Sequence, residues 1–363
     1  MSLLFEMNQK ALALSIPLSV HFDLTYRCNE RCIHCYLDHD DHGEMTTSEI
    51  ERVLTELSDA GVFFLTFSGG EVLMRMDFLH LVEFARKLLF NVKVKTNGVM
   101  IREKQAQKLR ELGVEQVQIS VYSHRPDIHD AITKLPGSFK RTIEAIRFLK
   151  AQGLKVTIAN VLMTANSFDS AGVIELAREL GVFYSLDPTI TPKIDGDMST
   201  LDLRISGEEL HQVFHDQRVV ENVTEFCAPP SPPGDDVMDG YPCSAGHTSC
   251  YISPYGEVYP CVQFPLPSGN VRHQSFFEIW RQSPQLAEVR SIRARDLSTC
   301  SSCAHVGTCT RCPGLAYMEG DMRGPSAADC EKSFHRTGIP SARMLAQGLV
   351  GPSLKLVQIQ PLV

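Results

Sequence analysis

Between residues 18 and 188 short apolar runs alternate with helical stretches, and this alternation sets the narrowest limits on the fold. The runs at 18–25, 62–67, 92–96, 114–121, 155–163 and 182–187 read as strands, continuous and rich in β-branched residues. Helical periodicity fills the intervals at 47–60, 78–90, 101–112, 138–152 and 170–180. Gly61, Gly113, Gly153 and Gly181 stand where helices stop, and Thr46 or Thr47 with Glu49 or Glu51 resembles a capped start. Six βα units in series predict an α/β fold with a buried parallel sheet, either a partial TIM-type barrel or a doubly wound sheet. In both, ligands sit beyond the carboxyl ends of the strands.

The 363 residues suffice for two domains, with 43% hydrophobic and 21% charged residues as in ordinary soluble chains. A formal charge of −8 argues against nucleic acid or anionic lipid as a partner. No apolar run reaches the ~20 residues of a membrane span. Residues 1–19 are mildly amphipathic but lack a basic n-region and a small-residue cleavage site, so they are not read as a signal peptide.

The twelve cysteines are gathered rather than scattered. Three lie in Cys28-Asn29-Glu30-Arg31-Cys32-Ile33-His34-Cys35, directly after the first predicted strand, and the rest fall between Cys227 and Cys330. A disulfide scaffold would be short, secreted and evenly studded. Ligand-like groups in a long chain without an export signal point to cytoplasmic metal binding. Three thiolates in eight residues can hold an iron–sulfur cluster that keeps one iron open, whereas structural zinc takes a fourth ligand, for which His34 is at hand. Ser68-Gly69-Gly70-Glu71 follows the second strand, where two glycines permit a tight turn and Glu71 offers a carboxylate. Thr96-Asn97-Gly98 follows the third strand, and Ser120 and Tyr122 end the fourth.

Beyond Asp187 the alternation stops. Residues 189–203 form a connection, 207–220 read as one helix, and the proline-rich stretch 229–236 as a linker. Cys300-x2-Cys303-x5-Cys309-x2-Cys312 then forms a tetrad, with Cys243, Cys250 and Cys261 before it and Cys330 after it. Alone, the tetrad is also a fair signal of a structural zinc module. The run Asp38-His39-Asp40-Asp41-His42 reads as a solvated loop, His124 and His129 as structural or exposed loop residues, and Trp280 as packing for the C-terminal domain.

Taken together, the Cys-x3-Cys-x2-Cys loop, Gly69-Gly70-Glu71, Cys243-x12-Gly256-x4-Cys261, the tetrad and Cys330 resemble the radical S-adenosylmethionine (SAM) enzymes of the SPASM class. The resemblance covers nearly all of residues 18–330. It implies a partial (β/α)6 TIM-type barrel at 18–220, after an N-terminal extension at 1–17. A linker at 221–242, a Cys-rich SPASM domain at 243–335 and a tail at 336–363 would follow. Implied cofactors are SAM and three 4Fe-4S clusters. One cluster, on Cys28, Cys32 and Cys35, would bind SAM and cleave it to a 5′-deoxyadenosyl radical that takes a hydrogen from substrate. Gly69, Gly70 and Glu71 would hold the SAM ammonium group, with Ser120 and Asn97 near its carboxylate or ribose. Cys300, Cys303, Cys309 and Cys330 would bind one auxiliary cluster. Cys243, Cys261 and Cys312 would bind the other, with Cys250, Cys227 or an open site as the fourth position. Asp187 is a candidate substrate contact.

The chain departs from the family pattern at several places. Val72 follows the Gly-Gly-Glu, Tyr122 stands where relatives carry Asp, and residues 131–133 lack the usual Arg, for which Lys134 is a weak substitute. Val262 follows Cys261 where sulfatase-maturing relatives carry Asp, which counts against formylglycine formation. The expected function is oxidative maturation of a ribosomally made peptide, by cross-linking or side-chain oxidation, in the cytoplasm. An electron donor such as flavodoxin or ferredoxin and a separate peptide-recognition protein are the expected partners. The alternatives are a radical step in small-molecule, quinone or tetrapyrrole biosynthesis, and a non-catalytic zinc protein.

Overall fold

The structure, a computed structural model, describes residues 3–349. The chain forms two compact units that do not follow its linear order. The first runs to Ile205 and also takes in Ser244–Ser291, and the second comprises Ser206–Cys243 and the residues from Ile292 onward. The division therefore differs from the boundaries at 220 and 243 expected from sequence. The part of the expected tail beyond residue 349 lies outside the described residues.

The first unit is built on β1 (Ser19–Thr25), β2 (Phe64–Gly69), β3 (Asn91–Thr96), β4 (Gln116–Ser120), β5 (Lys155–Val161) and β6 (Phe183–Asp187). Each pairs in parallel with its sequence neighbour, giving the open, one-directional strand order of a partial barrel. The helices between them are α2 (Thr47–Asp59), α3 (Phe78–Lys87), α4 (Glu103–Glu111), α5 (Pro126–Thr133), α6 (Ser138–Ala151) and α7 (Ser170–Leu180), with α1 (Leu3–Leu14) ahead of β1. Thr46 caps α2 through a reciprocal capping box with Glu49. Gly61, Gly113, Gly153 and Gly181 all adopt positive φ, as expected at helix exits. Helix α5 was not expected: Pro126 opens it and only His129, Ile132 and Thr133 are buried, too few to mark a period.

The two faces of the strands differ. Val20, Phe22, Leu65, Phe67, Val92, Val94, Val117, Ile119, Val156 and Ile158 face outward and are almost wholly buried against Ile50, Leu54, Leu57, Leu81, Leu109, Ile146 and Leu149 of the helices. Each such side chain contributes about 1.5–3 kcal/mol by leaving water. The alternate positions, among them His21, Lys95, Gln118 and Ser185, face the barrel lumen and are polar. A continuously apolar sheet was expected, and the strands instead alternate.

Three more strands extend this sheet past β1. β7 (Ser249–Ile252) pairs in parallel with β1, and β8 (Glu257–Tyr259) and β9 (Gly269–Asn270) follow antiparallel. Trp280 lies in the core of this same unit, its Nε1–H donating to Ser15 O at 2.7 Å and Arg290 stacked over its ring. It does not pack a separate C-terminal domain, because residues 244–291 fold with the barrel. In the second unit α8 (Gly207–His215) packs against the helix Ala327–Thr337. Among the described residues no helix is long and apolar enough to cross a membrane.

Candidate active site

The three clustered thiols sit on a loop whose backbone is held from two sides. On one side, Arg31 N–H donates to Thr133 O and Ile33 N–H to Ile132 O of α5, both at 3.0 Å. On the other, Glu44 accepts from Tyr26 N–H at 3.1 Å and from Arg27 Nη2 at 3.2 Å. Cys28, Cys32 and Cys35 are all free thiols facing one cavity of about 350 Å³ at the carboxyl ends of the strands. Burial raises all three, Cys28 to about 12; neighbouring thiols raise Cys28 and Cys32 further, and the charges of Asp23 and Glu30 raise Cys35. Cys28 Sγ accepts from Glu30 N–H at 3.4 Å and lies 3.8 Å from Asn97 Nδ2. Buried thiols crowded at one cavity wall are costly to ionise alone. A polynuclear iron centre removes that cost by neutralising the thiolates, so the donor set fits such a group.

The Gly-Gly-Glu turn fits closely against the strand that leads into the loop. Gly70 N–H donates to Thr25 O at 2.8 Å and Glu71 N–H to Arg27 O at 2.9 Å. A Cβ on Gly69 (φ +130°) would lie 2.1 Å from Thr25 O, and one on Gly70 2.3 Å from Arg27 O. Both positions therefore require glycine, and both glycines line the cavity. Glu71 does not. Its carboxylate is fully buried and accepts from the Thr96 hydroxyl at 2.8 Å, Asn97 N–H at 2.9 Å and Leu73 N–H at 3.1 Å. The expectation that Glu71 holds an ammonium group is corrected: its oxygens tie the β2 turn to the end of β3.

Asn97, Ser120, Tyr122 and Asp187 reach the same cavity, as the sequence led one to expect of Asn97, Ser120 and Asp187. Asn97 Nδ2 donates to Asn29 Oδ1 at 2.7 Å, linking β3 to the cysteine loop. Tyr122 meets His34 edge-on at 4.8 Å and stacks on His129 at 5.6 Å. His129, expected in a loop, is buried in α5, where Nδ1 accepts from Tyr122 N–H at 3.2 Å. Lys134 ends α5 in the left-handed conformation and is not among the cavity residues. Asp38–His42, expected as a solvated loop, is largely exposed, with His42 Nε2 2.9 Å from Asp38 and Asp40 O accepting from the Tyr255 hydroxyl at 2.9 Å, but His39 is half-buried and lines the cavity. Glu30 was missed. It is buried beside the thiols and pushed up to about 8 by that burial, and its only sequence signal is a carboxylate between two cysteines.

In the second unit Cys300, Cys303, Cys309 and Cys330 line one cavity of about 310 Å³, with His305 and Arg311. Ser333 O–H donates to Cys309 Sγ and Ala342 N–H to Cys303 Sγ, both at 3.4 Å, the kind of contact that tunes a cluster's potential. Cys312 is not among the residues of this cavity; its N–H donates to Asp329 at 2.8 Å. Cys243 also lies in the second unit and Cys261 in the first. Cys227 Sγ lies 3.6 Å from Phe214 O.

Cys250 requires a correction. It stands opposite Val20 in β7, 3% exposed within the apolar core, and burial raises its thiol. A thiol packed among hydrocarbon side chains is filling space and not awaiting iron. We expect Cys250→Ala to retain the wild-type iron content while losing about 1–2 kcal/mol of stability in urea unfolding. Loss of an iron cluster would restore Cys250 as a ligand.

A half-open parallel barrel with a three-thiol loop on its catalytic rim defines a class of iron–sulfur enzyme. The chain carries a radical SAM domain, whose family model matches residues 22–181, and a SPASM iron–sulfur cluster-binding domain, matched at residues 243–313. It is 27% identical over 326 residues to the AdoMet-dependent heme synthase of Methanosarcina barkeri, covering 83% of this chain and 92% of that protein. It is 29% identical over 346 residues to the mycofactocin maturase MftC of Mycobacterium tuberculosis, covering 92% and 87%. The solved structure of Streptococcus suis SuiB bound to its precursor peptide SuiA superposes with a TM-score of 0.71 at 17% identity, covering 90% of this chain and 80% of that one. That likeness shows the fold.

Proposed function

We propose that this enzyme matures a ribosomally made peptide by oxidative radical chemistry. The observation that carries the reading is one cavity holding three free thiols, the Gly69–Gly70 turn and a polar lumen wide enough for a side chain. When bound at Cys28, Cys32 and Cys35, the cluster supplies the electron that cleaves SAM to a 5′-deoxyadenosyl radical. The backbone of Gly69 and Gly70 would hold the SAM ammonium group, and Asn97 and Ser120 its polar flank. Tyr122 and His34 form the wall on the α5 side. Cys300, Cys303, Cys309 and Cys330 would hold an auxiliary cluster able to pass electrons from an oxidised substrate. MftC is named a maturase, and SuiB was solved with its precursor peptide.

A second reading, a step on a tetrapyrrole, is favoured by the heme synthase, which this chain matches over 92% of its length. Anaerobically purified protein should be brown and hold about twelve irons, as for three 4Fe-4S clusters. With SAM, a reductant and a candidate precursor peptide, sought among short reading frames beside the gene, the peptide should lose a pair of hydrogens by mass spectrometry. An unchanged peptide alongside a converted tetrapyrrole would select the second reading, and a colourless zinc-loaded protein would remove both.

A further inference from the structure

Below the rim, the lumen continues into a second cavity of about 340 Å³ walled by Thr66, Lys93, Gln116 and Thr157. Lys95, Gln118 and Ser185 line both cavities, so one polar passage runs from the cysteine loop into the barrel. The interior of a closed barrel of this type is packed with branched apolar side chains. Here the inward positions of β3 and β4 are two lysines and two glutamines instead. Lys95 sits at the junction; its ammonium group has no hydrogen-bond or ion-pair partner among the described residues, and the charges of Asp23, Cys261 and Asp187 act on it.

We infer that Lys95, with the amide of Gln118 and the hydroxyl of Ser185, forms a subsite for a substrate carboxylate, which orients the substrate beneath the cysteine loop. Asp23 and Asp187 are the carboxylates whose charge acts on Lys95. Asp23 is already engaged by His21 Nε2 at 3.1 Å and the Tyr251 hydroxyl at 3.0 Å, and Asp187 Oδ1 accepts from Thr189 N–H at 2.9 Å. Neither is bonded to the ammonium group. Their negative field nevertheless disfavours a dianion such as a phosphate monoester and leaves room for a monoanion. A carboxylate gains a charge-assisted hydrogen bond from Lys95 and neutral ones from its two neighbours. Resting on the peptide reading, this assigns the group as an acidic side chain near the modified residue. A tetrapyrrole propionate presents the same chemistry.

The test is calorimetric titration of the anaerobic, cluster-reconstituted enzyme with SAM present. The probes are acetyl-Ala-Glu-Ala-amide, acetyl-Ala-Gln-Ala-amide and coproporphyrin III. Wild type should prefer the Glu peptide over the Gln peptide by about tenfold, the gain expected of one charge-assisted contact. Lys95→Met should erase the preference and Lys95→Arg should keep part of it, with SAM affinity unchanged in both. Equal binding of the two peptides by wild type, with no Lys95-dependent porphyrin binding, overturns the inference. So does a preference that survives Lys95→Met, or a parallel loss of SAM affinity, which would give the ammonium group to the cosubstrate. Lys95-dependent binding of the porphyrin alone would keep the carboxylate subsite and remove the peptide reading.

Discussion

Cys32→Ala is expected to reduce SAM cleavage to background and to lower the iron content by about four atoms of twelve. Cys32 is the middle thiol of the loop. It lies within 3.5 Å of Glu30 Oε2, and its charge and those of Cys28 and Cys35 act on one another. With one thiol gone, two neighbouring thiols remain at a cavity wall where burial favours their protonated form, so the incentive to bind iron falls steeply. The folded barrel should survive, because the loop is fixed by backbone bonds to α5 and by the Asn97–Asn29 bond, not by the Cys32 thiol. Measuring 5′-deoxyadenosine by chromatography, with iron by colorimetry and folding by circular dichroism, checks all three expectations. Cleavage retained in this variant would contradict the assigned role of the loop.

Gly70→Ala should be nearly as damaging, through geometry alone. The added methyl group would stand 2.3 Å from Arg27 O and 2.5 Å from Tyr26 O, the backbone immediately before Cys28. Ordinary contact needs roughly 1 Å more, and a closely packed interior does not yield that cheaply. Either the turn or the cysteine loop must move. The expected result is a fall in stability of about 3 kcal/mol or more, with loss of the SAM-binding cluster. Gly153→Ala is the control: its φ is +73° but nothing lies within 4 Å of the new methyl group. It should lose only about 1 kcal/mol and keep full iron. Equal behaviour of the two variants would mean that the Gly70 contact does not position the loop.

The six strands and the cysteine loop were legible because their signals are local. Short runs rich in β-branched residues mark the strands even though only one face is apolar, and three thiols in eight residues admit few meanings. Glu71 was misread because its partners are non-local: Thr96 and Asn97 lie 25 and 26 residues on and meet it only when β3 forms. Cys250 was misread because counting thiols ignores which face of a strand they occupy, and the pairing with β1 that settles this joins residues far apart in the chain. For the same reason, sequence order could not show that residues 244–291 extend the first sheet.

The main-chain bonds that tie the cysteine loop to α5, the bonds of Glu44 to Tyr26 and Arg27, and the Asn97–Asn29 amide bond use no thiol. The loop is thus a socket that keeps its shape with or without its contents. Oxygen can strip iron from such a site without unfolding the protein around it, so an inactivated molecule remains a substrate for repair. For an enzyme whose cofactor is fragile in air, restoring the cluster then becomes a refilling step and not a refolding one.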